Sequence, residues 1–191
     1  LTTTAGSGFS SPLAVTLANA TTASVVATAF TNALTVNTSD TATSITATDT
    51  ITGGTGTTDR INFNATTAAV VETAADLAAV TAIETFAITG STVRNATFTL
   101  ADVNVAATKS LTIDGSNLTT GVLTVVATNE TNGSVIAIGG NAADSFTGSA
   151  SILGDNFSGG TGNDTFIFAT ANLTSADLTN ADLTESKLIC A

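Results

Sequence analysis

Histidine, tryptophan, tyrosine and methionine are all missing from the 191 residues. Without histidine, a serine or cysteine nucleophile lacks its usual base, and zinc would be left to carboxylates and one thiol. Two carboxylates could in principle cleave a glycoside. The only aromatic side chains, however, are nine scattered Phe, which build no sugar platform. No catalytic residue is assigned, and the chain reads as non-enzymatic. Cys190 is the single cysteine, so no internal disulfide can form, and Pro12 is the single proline. Positive charge is nearly as scarce. Arg60, Arg94, Lys109 and Lys187 stand against 15 acidic groups, for a formal net charge of -11. A chain this acidic is a poor partner for nucleic acid or an anionic membrane. No apolar run approaches the roughly 20 residues that span a bilayer, because Thr, Asn or Asp interrupts every stretch, so membrane insertion is not expected.

What is present is repetitive. Hydrophobic residues make up 43% of the chain, enough for a packed interior, and about one residue in five is Thr, which favours half-exposed strands. Short apolar runs begin at Phe86, Phe98, Leu111, Leu123, Val135, Phe146, Phe157 and Phe166, separated by 12, 13, 12, 12, 11, 11 and 9 residues. Each run alternates with period two and is closed by Asp, Asn or Gly, which is the signature of a strand. Evenly spaced strands with linkers too short for crossover helices require a solenoid, in which each coil buries its inner face against the next. The predicted fold is therefore all-β: a parallel β-solenoid, β-roll or β-helix, with at most one short helix. A β-sandwich is the alternative that shows similar strand spacing.

Residues Gly159 to Ile167 read Gly-Gly-Thr-Gly-Asn-Asp-Thr-Phe-Ile, an unbroken GGxGxDxUx nonapeptide with Phe166 as the large apolar residue. Glycines permit a tight turn whose carbonyls approach a cation, and Asp164 adds a hard oxygen. The motif resembles the RTX family of secreted calcium-binding proteins. That resemblance implies a β-roll holding Ca2+ between coils, and export through a one-step channel. A second copy, Gly139-Gly140-Asn141-Ala142-Ala143-Asp144-Ser145-Phe146-Thr147, carries Ala142 where the third glycine belongs. Gly154-Asp155-Asn156-Phe157 keeps only the end of the motif. In a two-strand coil, Asp144 and Asp164 should stack on one edge, with Asp155 on the other. The expected metal ligands are Gly139, Gly140, Asp144, Asp155, Gly159, Gly160, Gly162 and Asp164, with Asp49 and Asp59 as further candidates. Turn aspartates that bond only their own backbone are the alternative.

Four segments are expected. Residues 1–52 form a β-rich N-terminal segment, either more coil or an extension that pairs with a neighbouring subunit, with strands over Pro12 to Leu17, Ser24 to Phe30 and Leu34 to Val36. Residues 53–138 form solenoid, opening on Gly53 to Phe63, a degenerate calcium turn. A short helix is expected near 73–81, where Ala, Leu and a capping Thr73 favour it. Gly53 to Ile88 resembles segments of large RTX-type surface-layer proteins. Residues 139–168 form the calcium β-roll. In residues 169–191, Leu173, Leu178, Leu183 and Leu188 recur at five-residue steps. This tail resembles pentapeptide-repeat proteins, which implies a four-sided coil acting as a cap.

The function expected is that of a secreted calcium-binding structural protein that self-assembles into a bacterial surface layer, filament or matrix. Its expected partners are copies of itself, through solenoid ends or the N-terminal strand, and a cell-surface polysaccharide. Three other readings stand beside it: an RTX-type adhesin, an ice-binding module using Thr41-Ala42-Thr43 and Thr46-Ala47-Thr48, or the secretion segment of a larger exported protein. The chain begins at Leu1 without a charged and apolar signal segment, as expected of a processed form, a fragment, or a protein exported without an N-terminal signal.

Overall fold

Alternation of apolar and polar residues is carried through almost every strand. On Arg60–Asn64, Ile61 and Phe63 are fully buried while their neighbours stay half-exposed; Leu111 and Ile113 do the same on Ser110–Asp114. Such a segment can bury one face only by stacking against another like it. The computed structural model, which describes residues 2–6, 11–17, 22–41, 44–90, 93–168 and 187–190, shows that stacking.

The chain runs through β1 (Thr2–Thr4), β2 (Leu13–Thr16), β3 (Ser24–Val26), β4 (Leu34–Asn37), β5 (Thr50–Thr52) and β6 (Arg60–Asn64). It continues through β7 (Val70–Glu72), β8 (Val80–Thr81), β9 (Thr85–Thr89), β10 (Ala96–Thr99) and a 3-10 turn at Asp102–Asn104. Then come β11 (Ser110–Asp114), β12 (Leu123–Val126), β13 (Ser134–Ile138), β14 (Ser145–Thr147), β15 (Asn156–Ser158), β16 (Thr165–Phe168) and β17 (Lys187–Cys190). Every pair among them is parallel. They form three sheets, in the orders β1-β3-β5-β8, β2-β4-β6-β9-β11-β13-β15 and β7-β10-β12-β14-β16-β17. The fold is a parallel β-solenoid, and β1 to β5 join the same sheets as the strands that follow.

The evenly spaced apolar starts map onto this path in strict alternation. Phe86, Leu111, Val135 and Phe157 lie in the seven-stranded sheet, and Phe98, Leu123, Phe146 and Phe166 in the six-stranded one. One spacing is thus half a coil. Phe63 packs edge-on against Phe86 of the neighbouring strand at 5.4 Å and, between the sheets, against Phe98 at 4.9 Å, while Phe157 stacks on Phe168 across the sheets at 5.1 Å. Each ring is fully buried, which stabilises the fold by roughly 2–3 kcal/mol per side chain.

The expected helix near 73–81 does not form. Residues 74–79 make a turn that runs straight into β8. Thr73 bonds Asp76 through its hydroxyl at 2.6 Å, and the Leu77 N–H reaches the Thr73 carbonyl at 3.0 Å, closing one helical loop. Burial of Leu77 and Val80 in the coil core then fixes an extended exit, and a segment this short cannot repay helix nucleation. Two of the three predicted N-terminal strands are shorter, Pro12 to Leu17 becoming Leu13–Thr16, while Leu34 to Val36 extends by one residue to Asn37. Ser24 to Phe30 becomes Ser24–Val26, because a turn at residues 28–29 brings the Phe30 N–H back to the Ala27 carbonyl. The tail positions 169–186 lie outside the described residues; β17 pairs with β16 in the register Phe166 to Leu188.

Candidate metal site at the glycine and aspartate corners

A coil that turns a corner leaves the first N–H of the strand in the adjacent coil without a backbone acceptor. Asp49, Asp59, Asp144, Asp155 and Asp164 each occupy the position directly before a strand, and all are buried. Each reaches one coil back. Asp49 accepts the N–H of Ala23, Asp59 that of Leu34 at 2.7 Å, and Asp144 that of Leu123 at 2.7 Å. Asp155 accepts the Val135 N–H at 2.8 Å, and Asp164 accepts the Asp144 N–H at 2.8 Å. The second carboxylate oxygen of four of them takes an N–H of its own turn: Thr46, Gly54, Gly140 and Ser149 donate at 2.8, 2.6, 2.8 and 2.7 Å to Asp49, Asp59, Asp144 and Asp155.

The ten predicted ligands therefore divide. Gly139, Gly140, Asp144, Gly159, Gly160, Gly162 and Asp164 come together at one corner of the six-stranded sheet, with the two aspartates 20 residues apart in adjacent coils. Asp155 lies before β15 in the seven-stranded sheet, on the opposite edge. Asp59 lies on that same sheet four coils earlier, before β6, and Asp49 opens β5 in the four-stranded sheet.

Close packing explains the glycines. A Cβ on Gly139 would strike both Asp144 Oδ2 and the Gly159 carbonyl oxygen, and one on Gly160 would strike the Gly140 carbonyl. Gly160 and Gly162 take φ of +87° and +120°, conformations that side chains resist. Ala142, at the position of Gly162 one coil earlier, does not. The two nonapeptide turns accordingly differ in backbone shape.

Two carboxylates face one another at this corner in a buried setting. Burial pushes the Asp144 carboxyl up to about 6, against the pull of the Leu123 and Gly140 N–H groups, and the Asp164 charge pushes the same way. Burial likewise raises Asp155, opposed by Ser149 and Val135. Among the described residues, no three acidic or thiol side chains converge as a ready-made metal cluster. A cation here would need backbone carbonyls as well, which calcium accepts; the Gly159 carbonyl oxygen and Asp144 Oδ2 both pack close against Gly139. The donor set fits calcium on those terms.

Sequence reasoning missed four polar anchors, Glu84 half-buried and Glu72, Glu130 and Asn104 buried. Glu84 stands directly before β9 as Asp59 does before β6, and it accepts the Asp59 N–H at 2.8 Å; the 25-residue step between them is the available signal. Glu72 takes the Ser44 and Ile45 N–H groups on one oxygen, the other being buried without a hydrogen bond, and burial lifts its carboxyl to about 7. Glu130 bonds the N–H groups of Asn132 and Gly133. Asn104 donates to the carbonyls of Leu77 and Val80 at 2.8 and 2.9 Å. The threonine arrays expected on strands are placed differently: Thr46 and Thr48 bond each other in a turn at 3.0 Å, and Ala42 and Thr43 lie outside the described residues.

The profile of the family described as Pentapeptide repeats (8 copies) matches residues 167–191. The tail is similar to that family over this stretch, which is a small part of the chain. Searches of the curated proteins and of the solved structures return no match.

Proposed function

We propose that this chain is a non-enzymatic, secreted structural solenoid that calcium stiffens at the Asp144–Asp164 corner and that assembles with copies of itself at the cell surface. One observation carries the reading: two buried carboxylates stacked in adjacent coils, one of them raised by burial and by its neighbour's charge, at a corner where the Gly159 carbonyl oxygen and Asp144 Oδ2 both lie close to Gly139. Gly139, Asp144, Gly159 and Asp164 are the residues that would hold the ion, with Asp155, Asp49 and Asp59 as separate corners. The nonapeptide's resemblance to RTX repeats supports calcium over magnesium, since carbonyl-rich irregular sites suit the larger ion. Self-association is supported by the seven-stranded sheet, in which β2 is the terminal strand among the described residues, so that a strand of another copy can pair with its outer edge.

Thermal melting of the full chain in calcium, magnesium and chelator tests the calcium claim. Calcium should raise the midpoint of wild type and fail to do so in Asp164→Asn. Identical melting in calcium and chelator would overturn it. Electron microscopy of the same samples tests assembly, and monomers under all conditions would refute that part.

A second reading rests on the outer face of the six-stranded sheet. Thr97, Thr124, Ser145 and Thr165 form one rank, and Thr99, Val126, Thr147 and Ile167 the other, in direct register. Strands set about 4.8 Å apart make this a flat, uncharged hydroxyl and methyl lattice, which suits ice or another ordered surface. Thermal hysteresis lost in Thr124→Lys would support ice binding; no hysteresis in wild type would refute it.

A further inference from the structure

Three residues hold the same place in successive coils. Asp59, Glu84 and Lys109 stand directly before β6, β9 and β11, neighbouring strands of the seven-stranded sheet. The first two repeat the bonds of the Asp144–Asp164 corner. Asp59 accepts the N–H groups of Leu34 and Gly54, as Asp144 accepts those of Leu123 and Gly140. The Asp59 N–H goes to Glu84 at 2.8 Å, and the Asp144 N–H goes to Asp164 at 2.8 Å. A Cβ on Gly53 would strike Asp59 Oδ2 and the Ala82 carbonyl oxygen, as one on Gly139 would strike Asp144 Oδ2 and the Gly159 carbonyl oxygen. Ala82 takes φ 53°, in the left-handed region that Gly160, next to Gly159, also occupies at +87°. By geometry alone, a cation that suits one corner suits the other.

Charge separates them. Burial raises the Glu84 carboxyl, against the pull of the Asp59 N–H; the Asp59 charge adds to the rise, and the Lys109 ammonium, acting less strongly, offsets part of it. At the other corner the charge that acts on Asp144 is that of Asp164, a second carboxylate. Two carboxylates and an ammonium leave one net negative charge at Asp59, against two at Asp144 and Asp164. Calcium affinity follows the ligand charge count. The Asp59 corner is not closed to ions, since Gly54, Ala82, Glu84 and Lys109 line one concavity of about 390 Å³. Among the described residues no direct ion pair ties Lys109 to Glu84. Repulsion of a second cation acts through space and needs no such bond.

We infer that Lys109 is a tethered counter-ion, which takes the part of a metal at the Asp59–Glu84 corner and turns calcium away from it. The inference rests on the reading that these corners take calcium, and it narrows that reading: the Asp59 corner holds its shape without metal, and Asp144 with Asp164 is the corner that loads.

Calcium titration calorimetry and hydrogen exchange of the full chain provide the test, on wild type, Lys109→Ala, Lys109→Arg and Lys109→Ala combined with Glu84→Gln. Lys109 is exposed, and unchanged melting in chelator will confirm that its variants are folded. Lys109→Ala should bind one calcium more than wild type, with exchange at residues 53–59 slowed at least tenfold by the ion. Lys109→Arg should behave as wild type, and the double variant should lose the gain. Three results overturn the inference: calcium already slows exchange at residues 53–59 in wild type, Lys109→Ala binds no more ions than wild type, or Lys109→Arg gains the ion as well. Wild-type exchange at residues 139–144 and 159–164 reports separately on the calcium reading. If calcium leaves it unchanged, that reading fails, while a gained ion in Lys109→Ala still upholds the role of Lys109.

Discussion

Lowering the pH from 8 to 5 in the presence of chelator should stabilise this protein. Most carboxylates that accept backbone N–H bonds are held more acidic by folding, and acid then destabilises. Here burial wins for four of them. Glu72 is raised from 4.5 to about 7 and Asp144 from 3.8 to about 6, while Glu84 and Asp155 move in the same direction. A carboxyl raised on folding binds its proton more tightly in the native state, so the native state is favoured as pH falls through the folded value and towards the unfolded one. At about 1.4 kcal/mol per pH unit, ionised Glu72 and ionised Asp144 each cost the fold about 3 kcal/mol as upper limits. Screening by water reaching part of each group lowers this to ~1 kcal/mol apiece. The expected gain is therefore about 2 kcal/mol, which for a chain of this size raises the melting midpoint by roughly 4–8 °C. Urea titrations at half-unit pH steps measure it directly. Relief of the general negative charge would act in the same direction, so Glu72→Gln and Asp144→Asn are the controls, each expected to flatten the slope between pH 5 and 8. Wild-type stability that rises with pH across this window would refute the reasoning, and so would variants whose slope equals that of wild type.

Three further outcomes follow from packing. Phe146→Ala should cost about 3–5 kcal/mol by urea denaturation, because the ring is fully buried and meets Phe157 and Phe166 at 5.5 and 5.8 Å. Gly160→Ala should destabilise by at least ~1 kcal/mol in thermal melts, since φ is +87° and the added Cβ would strike the Gly140 carbonyl. Asn104→Leu should cost about 2–4 kcal/mol, because it strips the acceptor from the Ala101 N–H and the donors from two buried carbonyls. In that variant, hydrogen exchange should accelerate first at residues 77–81, where the four-stranded sheet ends.

The half-coil spacing was legible because each coil must present an apolar residue inwards at the same two places, and Phe86 through Phe166 keep that beat. Loops are free to vary, so β1, β5 and β8 were not legible: they are two or three residues long and sit in Thr and Ala sequence with little contrast, whereas β3 was read, too long, as Ser24 to Phe30. The pre-strand aspartates could be read as special but not assigned a partner, since the N–H each accepts lies 20 to 26 residues earlier. Glu72 left no trace at all, because its environment is the Ser44–Ile45 turn, which only the folded coil brings to it. The helix near 73–81 failed for a related reason. Local propensity favoured it, and the demand of the core for Leu77 and Val80 overrode it.

Coil length explains how motifs of three kinds share one chain. Partners across the wider coils lie about 25 to 28 residues apart, as in the Leu34–Asp59 and Ser44–Glu72 bonds. Past the 3-10 turn the interval falls to 21 residues at Leu123–Asp144 and 20 at Asp144–Asp164. Dropping one strand and its corner shortens the path by that amount. Twenty residues is also the length of four five-residue repeats, and β17 pairs with β16 with Leu188 beside Phe166, 22 residues on. A nonapeptide coil and a run of four pentapeptides therefore have similar contour lengths, and the narrow coils lie between the wide ones and β17.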